Sequence, residues 1–300
     1  MINQYKRVDV FRCQNRAHAK LGKRVSVYHV LKVKKCYPNG CVYFRWKCQK
    51  LNKGESCPRG YKHVGRLCFG CKYFYDEKVA HQLEMVLPEA QQAEFWEDLD
   101  AFEDWLEEIR GRRHSILGRI QSVKPQLEKR ILGKDEQLSL RGFLLVFRDT
   151  YIGQIHFEDF TYASVPVSAY KRWVFRPGDE LEFSAVVNED QGRLVYSRLR
   201  DVEFSRRGEG EAPWTQEEIP LLLKTATEFR IQPEKCLYCP YGTLVDVTER
   251  SARGNFRYRR LFCLKGIHDP ATCVVQPLEK IASEGCPDEV QEVDWKEGYR

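Results

Sequence analysis

The sequence has no long apolar run, and this absence narrows the classes of protein to which the chain can belong. No stretch of its 300 residues approaches the roughly 18 consecutive apolar residues of a membrane-spanning helix, so no such helix is expected. The first residues, MINQYKRVDVFRC, lack an apolar core of signal-peptide length. We therefore expect a protein of the reducing cytoplasm with no membrane partner.

Recognisable catalytic motifs are also missing. The sequence contains no GxxxxGK[ST], GxGxxG, GxSxG or HExxH pattern. An H-x-E triplet at His156 and a later C-x-x-C pair at Cys236 fit part of the zinc deaminase pattern H-x-E…P-C-x-x-C. However, no proline directly precedes Cys236, and the triplet falls in an expected strand. The sequence thus favours a non-catalytic protein and identifies no small-molecule substrate.

Acidic residues are scarce in residues 1–78, which contain 19 Lys or Arg but only 4 Asp or Glu. This stretch has a net charge of +15, which leaves −9 for the rest of a chain whose total is +6. A basic surface attracts polyanions, because contacts with phosphates release counterions. Twelve aromatic side chains lie among these charges and could stack on bases. We predict nucleic acid as the partner; the alternative is a solvated basic face that aids solubility.

The chain has twelve cysteines, which in a reducing compartment indicate metal ligation rather than disulfide bonds. At the C-terminal end, the Cys236-x-x-Cys239 pair precedes a hairpin that would bring Cys263 back beside it. Four such ligands suit tetrahedral Zn²⁺. Residues 234–275 resemble the zinc-ribbon family, although a ribbon usually ends in a second tight pair. Cys273 is therefore our first choice for the fourth ligand and His268 the second.

Seven further cysteines lie in the basic stretch: Cys13, Cys36, Cys41, Cys48, Cys57, Cys68 and Cys71. One grouping joins the final C-x-x-C pair of this set with Cys36 and Cys41 in a zinc site. The alternative joins that pair with Cys48 and Cys57 around a [4Fe–4S] cluster. The seven could also supply two sites with help from His63. Three other histidines show no ligand spacing and are expected to be ordinary: His18, His29 and His81.

The order of these patterns predicts an α+β, multi-domain chain. The expected segments are a basic cysteine-rich metal module (1–86), a long amphipathic helix and linker (87–127), an OB-like barrel (128–207), a helix (213–232) and a zinc-ribbon module with a tail (233–290). In the first segment, strand-like runs are expected at Arg24–Lys34 and Val42–Trp46, separated by the YPNG turn. The long helix is expected over residues 87–124, because apolar residues recur there at a three–four spacing. The later helix is expected over Thr215–Phe229, where Thr215 and Glu218 form a capping box. Its acidic start and basic end complement the helix dipole.

The barrel segment shows five strand-like runs, with a short helix between the third and the fourth. The runs are Leu138–Phe147, Tyr151–Phe160, Ala163–Val167, Glu180–Asn188 and Arg193–Phe204. A short turn is expected at Arg148–Thr150, between the first run and the second. The stretch PGDELEFSAVVNEDQGRLVYSRLRDVEF, a turn followed by a hairpin, resembles the OB-fold family. The resemblance implies a closed barrel that binds single-stranded nucleic acid or oligosaccharide, mostly on its second and third strands. The candidate contacts are Arg141, Phe143, Tyr151, His156, Lys171, Arg172 and Trp173.

The C-terminal hairpin adds five arginines suited to phosphate binding. They are Arg250, Arg253, Arg257, Arg259 and Arg260, and the alternative is a solvated hairpin tip. We therefore predict a non-catalytic protein that binds single-stranded DNA or RNA within a larger nucleoprotein assembly. Two alternatives stay open: an iron–sulfur redox or enzyme-associated protein, and a structural subunit that uses its OB and ribbon surfaces for protein contacts.

Overall fold

The computed structural model describes residues 1–15, 18, 23–133, 135–209, 213–215, 218–229, 235–236, 239–251 and 254–273. Within these ranges the chain is a mixed α+β protein, mostly sheet with few helices. It divides into two compact units, which we name the basic unit (Arg7–Gln92) and the sheet unit (Met1–Lys6 with Ala93–Arg300). None of the helices in the described part of the chain combines the length and apolarity needed to cross a membrane.

The basic unit contains two small antiparallel sheets. Its elements are β1 (Phe11–Cys13), β2 (Arg24–Val25), β3 (Cys41–Cys48), α1 (Gln49–Asn52), β4 (Phe74–His81) and β5 (Leu83–Met85). Strand β1 pairs with β2 and β5, and β3 pairs with β4. The strand predicted around Val42–Trp46 is confirmed as part of β3. It follows a turn at Gly40, where a φ of +85° and the nearby carbonyl of His81 leave room only for glycine.

The strand predicted over Arg24–Lys34 is wrong beyond its first two residues. Strand β2 ends at Val25, and His29–Val33 forms a π-type helical turn. The Ser26 hydroxyl accepts a hydrogen bond of 3.2 Å from the backbone N–H of His29. A serine that bonds the backbone in this way competes with strand pairing and favours a helical start.

The remaining elements form one large sheet with helices around it. The strands are β6 (Arg113–Leu132), β7 (Asp135–Ile152), β8 (Ile155–Phe157), β9 (Thr161–Pro166), β10 (Glu180–Asp190), β11 (Arg193–Arg206), β12 (Thr227–Glu228), β13 (Gly242–Ser251) and β14 (Gly254–Cys263). The helices are α2 (Glu89–Ile109), α3 (Val167–Trp173) and α4 (Glu218–Thr225). The sheet has the order β12-β14-β13-β6-β10-β11-β9-β7-β8, with an additional pairing of β6 and β7.

Five of these strands form a continuous series of pairings. Strand β6 pairs antiparallel with β7, β7 pairs antiparallel with β9, and β9 runs parallel to β11. Strand β11 then pairs antiparallel with β10, and β10 with β6. Their buried side chains include Phe143, Phe147, Phe183 and Tyr196. The Tyr196 hydroxyl lies 3.0 Å from the Thr150 hydroxyl, so its polar atom has a partner inside this core.

The helix predicted over residues 87–124 is wrong in its second half, because α2 ends at Ile109 and strand β6 follows. Gly111, with a φ of +73°, turns the chain out of the helix. The spacing of four between Ile116 and Ile120 fits a helix, but it also fits a strand in which alternate residues point inward. In the structure every second residue from Ile116 to Ile120 is buried, which is the pattern of a strand.

Four of the five strands predicted for the barrel segment are confirmed with shifted bounds, but the run predicted over Tyr151–Phe160 is wrong. Its first two residues end β7, and only Ile155–Phe157 forms a further strand, β8. Strands β9, β10 and β11 match the runs predicted from Ala163, Glu180 and Arg193, and α3 matches the predicted short helix. The turn predicted at Arg148–Thr150 is wrong, because β7 runs through it without a break. Asp149, at a φ of +56°, falls where the register with β6 shifts, so the segment is a β-bulge.

The C-terminal part of the described chain extends the same sheet. Helix α4 begins at Glu218 with the predicted capping box: its carboxylate accepts from the Thr215 N–H at 2.9 Å, and the Thr215 hydroxyl accepts from the Glu218 N–H at 3.4 Å. The helix ends at Thr225, earlier than the predicted Phe229, because β12 follows. The predicted hairpin is formed by β13 and β14, and β13 also pairs in parallel with β6.

Candidate metal centres and nucleic-acid interface

The four cysteines predicted as zinc ligands at the C-terminal end lie in one neighbourhood. Cys236, Cys239 and Cys263 are buried, and Cys273 is half-buried. Burial raises the pKa of the Cys236 thiol to about 11, and the three other thiols act on it in the same direction. The three other thiols therefore lie in the neighbourhood of Cys236.

We name these four cysteines the ribbon cluster. A tight turn holds its first pair, Cys236 and Cys239. The Gly242 N–H donates to the Cys239 carbonyl at 2.9 Å, and a Cβ on Gly242 would collide with the Cys236 carbonyl oxygen. Gly242 also lies directly opposite Cys263 in the β13–β14 register. From β6, Lys124 Nζ donates to the carbonyls of Cys239 (3.1 Å) and Gly242 (2.9 Å). Lys124, which the sequence patterns did not reveal, thus ties the turn to the sheet.

The exposure and surroundings of the two candidates for the fourth ligand favour Cys273 over His268. His268 is exposed, whereas Cys273 is half-buried and is among the groups that act on Cys236. The Asp269 carboxylate accepts from the Ala271 N–H at 2.9 Å and so caps the single helical turn that precedes Cys273. This local cap explains how a chain without a second C-x-x-C pair presents a fourth thiol here.

A second set of thiols surrounds a small cavity in the basic unit, which we name the cavity cluster. The cavity has a volume of about 20 Å³, and its ligand-type lining residues are Cys48, Cys57, His63, Cys68 and Cys71. Backbone N–H groups of Arg59 and Tyr61 lower the pKa of the Cys57 thiol, which favours the thiolate. The Cys71 N–H donates to the Cys68 carbonyl at 2.8 Å, which folds the C-x-x-C pair into a turn. This set corresponds to the second of the two predicted groupings.

The first predicted grouping, which joins Cys36 and Cys41 with the C-x-x-C pair, is not brought together. Cys41 and Cys48 occupy opposite ends of β3, seven residues or about 23 Å apart along an extended strand. The C-x-x-C pair lies at the Cys48 end. Cys36 lies at the other end with Cys41, and Gly40 N–H donates to the Cys36 carbonyl at 2.6 Å.

Thiols converge in these clusters without reaching the geometry of a bound ion. In the ranges that the structure describes, no three His, Cys, Asp or Glu side chains are placed to hold a metal ion. The cysteines in those ranges are free thiols. Metal binding at both clusters therefore stays a prediction.

Most of the predicted contacts on the barrel strands are accessible. These are Arg141, Tyr151, His156, Lys171, Arg172 and Trp173. The rings of Tyr151 and His156 stack with centroids 4.8 Å apart, and Tyr151 remains 44% exposed. The Arg172 guanidinium lies 5.5 Å from the centroid of the Trp173 ring. Such aromatic and guanidinium planes are surfaces on which bases can stack.

Phe143 is the exception, and its predicted role as a contact is wrong. Its side chain has no exposed surface and stacks on Tyr170, with ring centroids 3.8 Å apart. Tyr170 is buried in turn, and burial raises the pKa of its hydroxyl to about 12. Both rings therefore pack in the interior and cannot reach a ligand.

The arginines of the β13–β14 hairpin differ in their partners. Arg259 donates hydrogen bonds to Asp246 at 2.9 Å and to Asp190 at 2.6 Å. Burial works against its charge, but the two carboxylates outweigh burial and raise the pKa of Arg259. Arg260 is also engaged, 3.6 Å from the Glu228 carboxylate. A nucleic-acid contact is wrong for Arg259, because its charge is already compensated inside the protein.

At the tip of the hairpin, two of the arginines predicted to contact phosphate are accessible. Arg250 and Arg257 are exposed near the end of the two strands. The third predicted tip residue, Arg253, lies outside the described residues. The hairpin tip therefore offers a smaller basic surface than the sequence indicated.

A cleft that the sequence patterns did not reveal concentrates arginines at one end of the five-stranded series. Its volume is about 610 Å³. The basic residues that line it are Arg119 on β6, Arg148 on β7, and Arg206 and Arg207 at the end of β11. Two carboxylates, Asp149 and Glu209, share the lining. Four guanidiniums against two carboxylates give the cleft a positive excess.

The wall of the cleft is fixed by a fully buried carboxylate, Asp179. It accepts hydrogen bonds of 2.8 Å from the backbone N–H groups of Arg176 and Gly208. The Arg207 guanidinium lies 3.5 Å from the same carboxylate and donates to the Val174 carbonyl at 2.9 Å. Arg207 is therefore bound to the wall although its side chain is exposed. Arg119, Arg148 and Arg206 are also exposed, and Arg148 Nε lies 3.7 Å from the Asp149 carboxylate.

Comparison with known proteins assigns the chain to no family. No protein-family model, no curated protein and no solved structure matches the chain. The assignment of function therefore depends on the clusters and the cleft themselves.

Proposed function

We propose that the chain is a non-catalytic nucleic-acid-binding protein that holds single-stranded DNA or RNA along the arginine cleft. The observation that carries this proposal is the 610 Å³ cleft with three exposed guanidiniums, Arg119, Arg148 and Arg206. A guanidinium matches a phosphate through paired N–H donors, so a line of them suits a phosphodiester backbone. We assign phosphate binding to these three residues.

The strand pairings support an OB-like barrel as the scaffold of this cleft. The pairings β6–β7, β7–β9, β9–β11, β11–β10 and β10–β6 return to the strand where they began. Helix α3 joins the third of these strands to the fourth. In OB folds single strands bind mostly on the second and third strands. Here the second strand, β7, carries both Arg148 and Tyr151.

The neighbouring aromatic surface gives the proposal a way to engage bases. Tyr151 and His156 form an accessible stacked pair, and Trp173 lies beside Arg172. Stacking on aromatic rings is worth about 1–3 kcal/mol per base and tolerates any sequence. We therefore expect binding with weak sequence preference, in which the cleft takes phosphates and the rings take bases.

The proposal assigns Zn²⁺ to the ribbon cluster and to the cavity cluster. A cavity of about 20 Å³ has room for roughly one water-sized sphere, which suits a single ion. The ions would have a structural role, because small modules gain folding free energy from their metal.

Binding to oligonucleotides across a salt series tests the proposal. With three phosphates engaged, the logarithm of the association constant for a single strand should fall against that of salt with a slope of about −2, or about 20-fold between 50 and 200 mM. Fluorescence anisotropy with labelled single-stranded DNA, single-stranded RNA and duplex of equal length measures this. Equal or tighter binding of the duplex, or affinity that does not vary with salt, would contradict the proposal.

A further inference from the structure

We propose that the basic unit holds a further zinc site, separate from the cavity cluster and formed by Cys13, His18, Cys36 and Cys41. These residues come from two loops with similar spacing, Cys13-x₄-His18 and Cys36-x₄-Cys41. Three thiols and one imidazole are a known ligand set for structural zinc. The proposal does not depend on nucleic-acid binding and can fail or succeed without it.

Strand pairing brings Cys13 and Cys41 close together. Cys13 pairs with Leu83 on β5, and Cys41 pairs with His81 at the end of β4, two residues earlier in the chain. Cys13 ends β1, and its N–H donates to the Lys23 carbonyl at 2.9 Å, so its position is fixed by the backbone. Asn15 Nδ2 lies 3.4 Å from Cys41 Sγ and donates to it. Amide donors directed at sulfur are typical of thiolate ligands, whose charge they stabilise.

Cys36 is held beside the same pair by the turn that leads into β3. Its N–H donates to the Val30 carbonyl at 3.1 Å, and its carbonyl accepts from Gly40 N–H at 2.6 Å. Cys13, Cys36 and Cys41 are all buried, and the hydrogen bonds of Asn15 to Cys41 and of Gly40 to Cys36 hold them in one region. Because Cys41 starts β3 and the cavity cluster lies at the far end of that strand, this set has no ligand in common with the cavity cluster.

His18 supplies the second observation that points to a ligand. It is 97% buried, and within the described residues neither ring nitrogen has a hydrogen-bond partner. Its backbone is anchored, since His18 N–H donates to the Asn15 carbonyl at 2.9 Å and its own carbonyl accepts from Lys23 N–H at 3.0 Å. Cys41 is close enough to influence its ionisation. A buried imidazole without partners is costly, and a bond to zinc would remove that cost.

Two other histidines lie near these residues and define the alternatives that the test must separate. The rings of His18 and His29 meet edge to face with centroids 5.0 Å apart. His81 pairs with Cys41 in the β3–β4 register. The His81 ring already stacks on the Tyr43 ring, with centroids 5.1 Å apart, whereas His18 is linked to Cys41 through the hydrogen bonds of Asn15. We therefore assign the ligand role to His18.

Metal content measured on single variants tests this assignment. Relative to the wild-type chain, Cys13→Ser and His18→Ala should each lose one zinc per chain. His18→Cys should retain it, and its Co²⁺ form should show stronger thiolate charge-transfer absorption. The matched control is His114→Ala, a histidine of the sheet unit whose Nε2 is likewise buried; it should lose none. Unchanged zinc content in Cys13→Ser or His18→Ala would overturn the proposal.

Two further measurements keep the test decisive. The double variant Cys13→Ser, Cys68→Ser should lose one zinc more per chain than Cys68→Ser alone; an equal loss in the two variants would mean a single shared site and overturn the proposal. If a variant fails to fold, alkylation of the wild-type chain answers the question. Cys13, Cys36 and Cys41 should resist N-ethylmaleimide and become labelled together once a zinc chelator is added. Labelling that does not depend on the chelator would refute a metal at these thiols.

Discussion

Replacing Lys124 by methionine tests the link between the ribbon cluster and the sheet. Methionine keeps the length and the apolar stem of the side chain but removes the ammonium group. Lys124 Nζ donates two hydrogen bonds, to the carbonyls of Cys239 (3.1 Å) and Gly242 (2.9 Å). Hydrogen bonds from a charged group contribute about 1.5–3 kcal/mol each, so the pair is worth at least about 3 kcal/mol.

The loss should appear mainly as weaker zinc binding at the ribbon cluster. The two bonds hold the turn in the shape that presents Cys236 and Cys239 together. If they form fully only when the turn is closed on the ion, about 3 kcal/mol corresponds to about a 100-fold loss of affinity. Contacts behind metal ligands typically contribute 10- to 100-fold. We therefore expect Lys124→Met to bind zinc 10- to 100-fold more weakly at this site.

Competition with a chromophoric chelator measures the affinity, and the Cys236→Ser variant identifies which zinc belongs to the ribbon cluster. The matched control is Lys265→Met, since Lys265 Nζ lies 4.4 Å from the centroid of the Tyr241 ring but makes no bond to the turn carbonyls. Wild-type affinity in Lys124→Met would refute the reasoning. An equal loss in Lys265→Met would show that the effect is not specific to the two hydrogen bonds.

Four further predictions concern the sheet unit and the metals. Asp179→Ala should lower the free energy of unfolding, measured by urea denaturation, by about 3 kcal/mol, because it leaves two backbone N–H groups without an acceptor. The control Asp135→Ala, at an exposed position, should change it by less than about 0.5 kcal/mol. Equal effects of the two substitutions would contradict this account. Phe143→Ala should cost about 3–5 kcal/mol of stability, since its ring is fully buried. Tyr151→Ala should leave the unfolding midpoint nearly unchanged and weaken single-strand binding about tenfold. A large loss of stability in Tyr151→Ala together with a stable Phe143→Ala would contradict the buried position of Phe143 and the exposed position of Tyr151. The purified chain should be colourless, and an absorption band near 400 nm would instead indicate an iron–sulfur cluster in the cavity cluster.

Features that depend on neighbouring residues could be read from the sequence. The capping box of Thr215 and Glu218 is a local pattern, and it forms as predicted. The β13–β14 hairpin and the strands β10 and β11 are likewise local, because turn residues and alternation specify them. Helix α2 was extended too far because Ile116 and Ile120 satisfy a helical spacing as well as an alternating one.

Features that depend on the register between strands could not be predicted from the sequence. The arginine cleft joins Arg119, Arg148 and Arg206, which are far apart in sequence and meet only through the pairing of their strands. The spacing of cysteines did not show that Cys41 and Cys48 lie at opposite ends of one strand. Arg259 looked available because its partner Asp190 lies on a different hairpin.

The central claim is that the arginine cleft binds single-stranded nucleic acid, and one comparison tests it most directly. Affinity for a labelled single strand should be measured for a variant with Arg119→Gln, Arg148→Gln and Arg206→Gln. Its control carries Arg110→Gln, Arg112→Gln and Arg200→Gln, three exposed arginines of the same unit that do not line the cleft. We predict at least about tenfold weaker binding for the cleft variant, with a salt slope reduced by about 2, and little change for the control. Wild-type binding by the cleft variant, or an equal loss in the control, would contradict the claim.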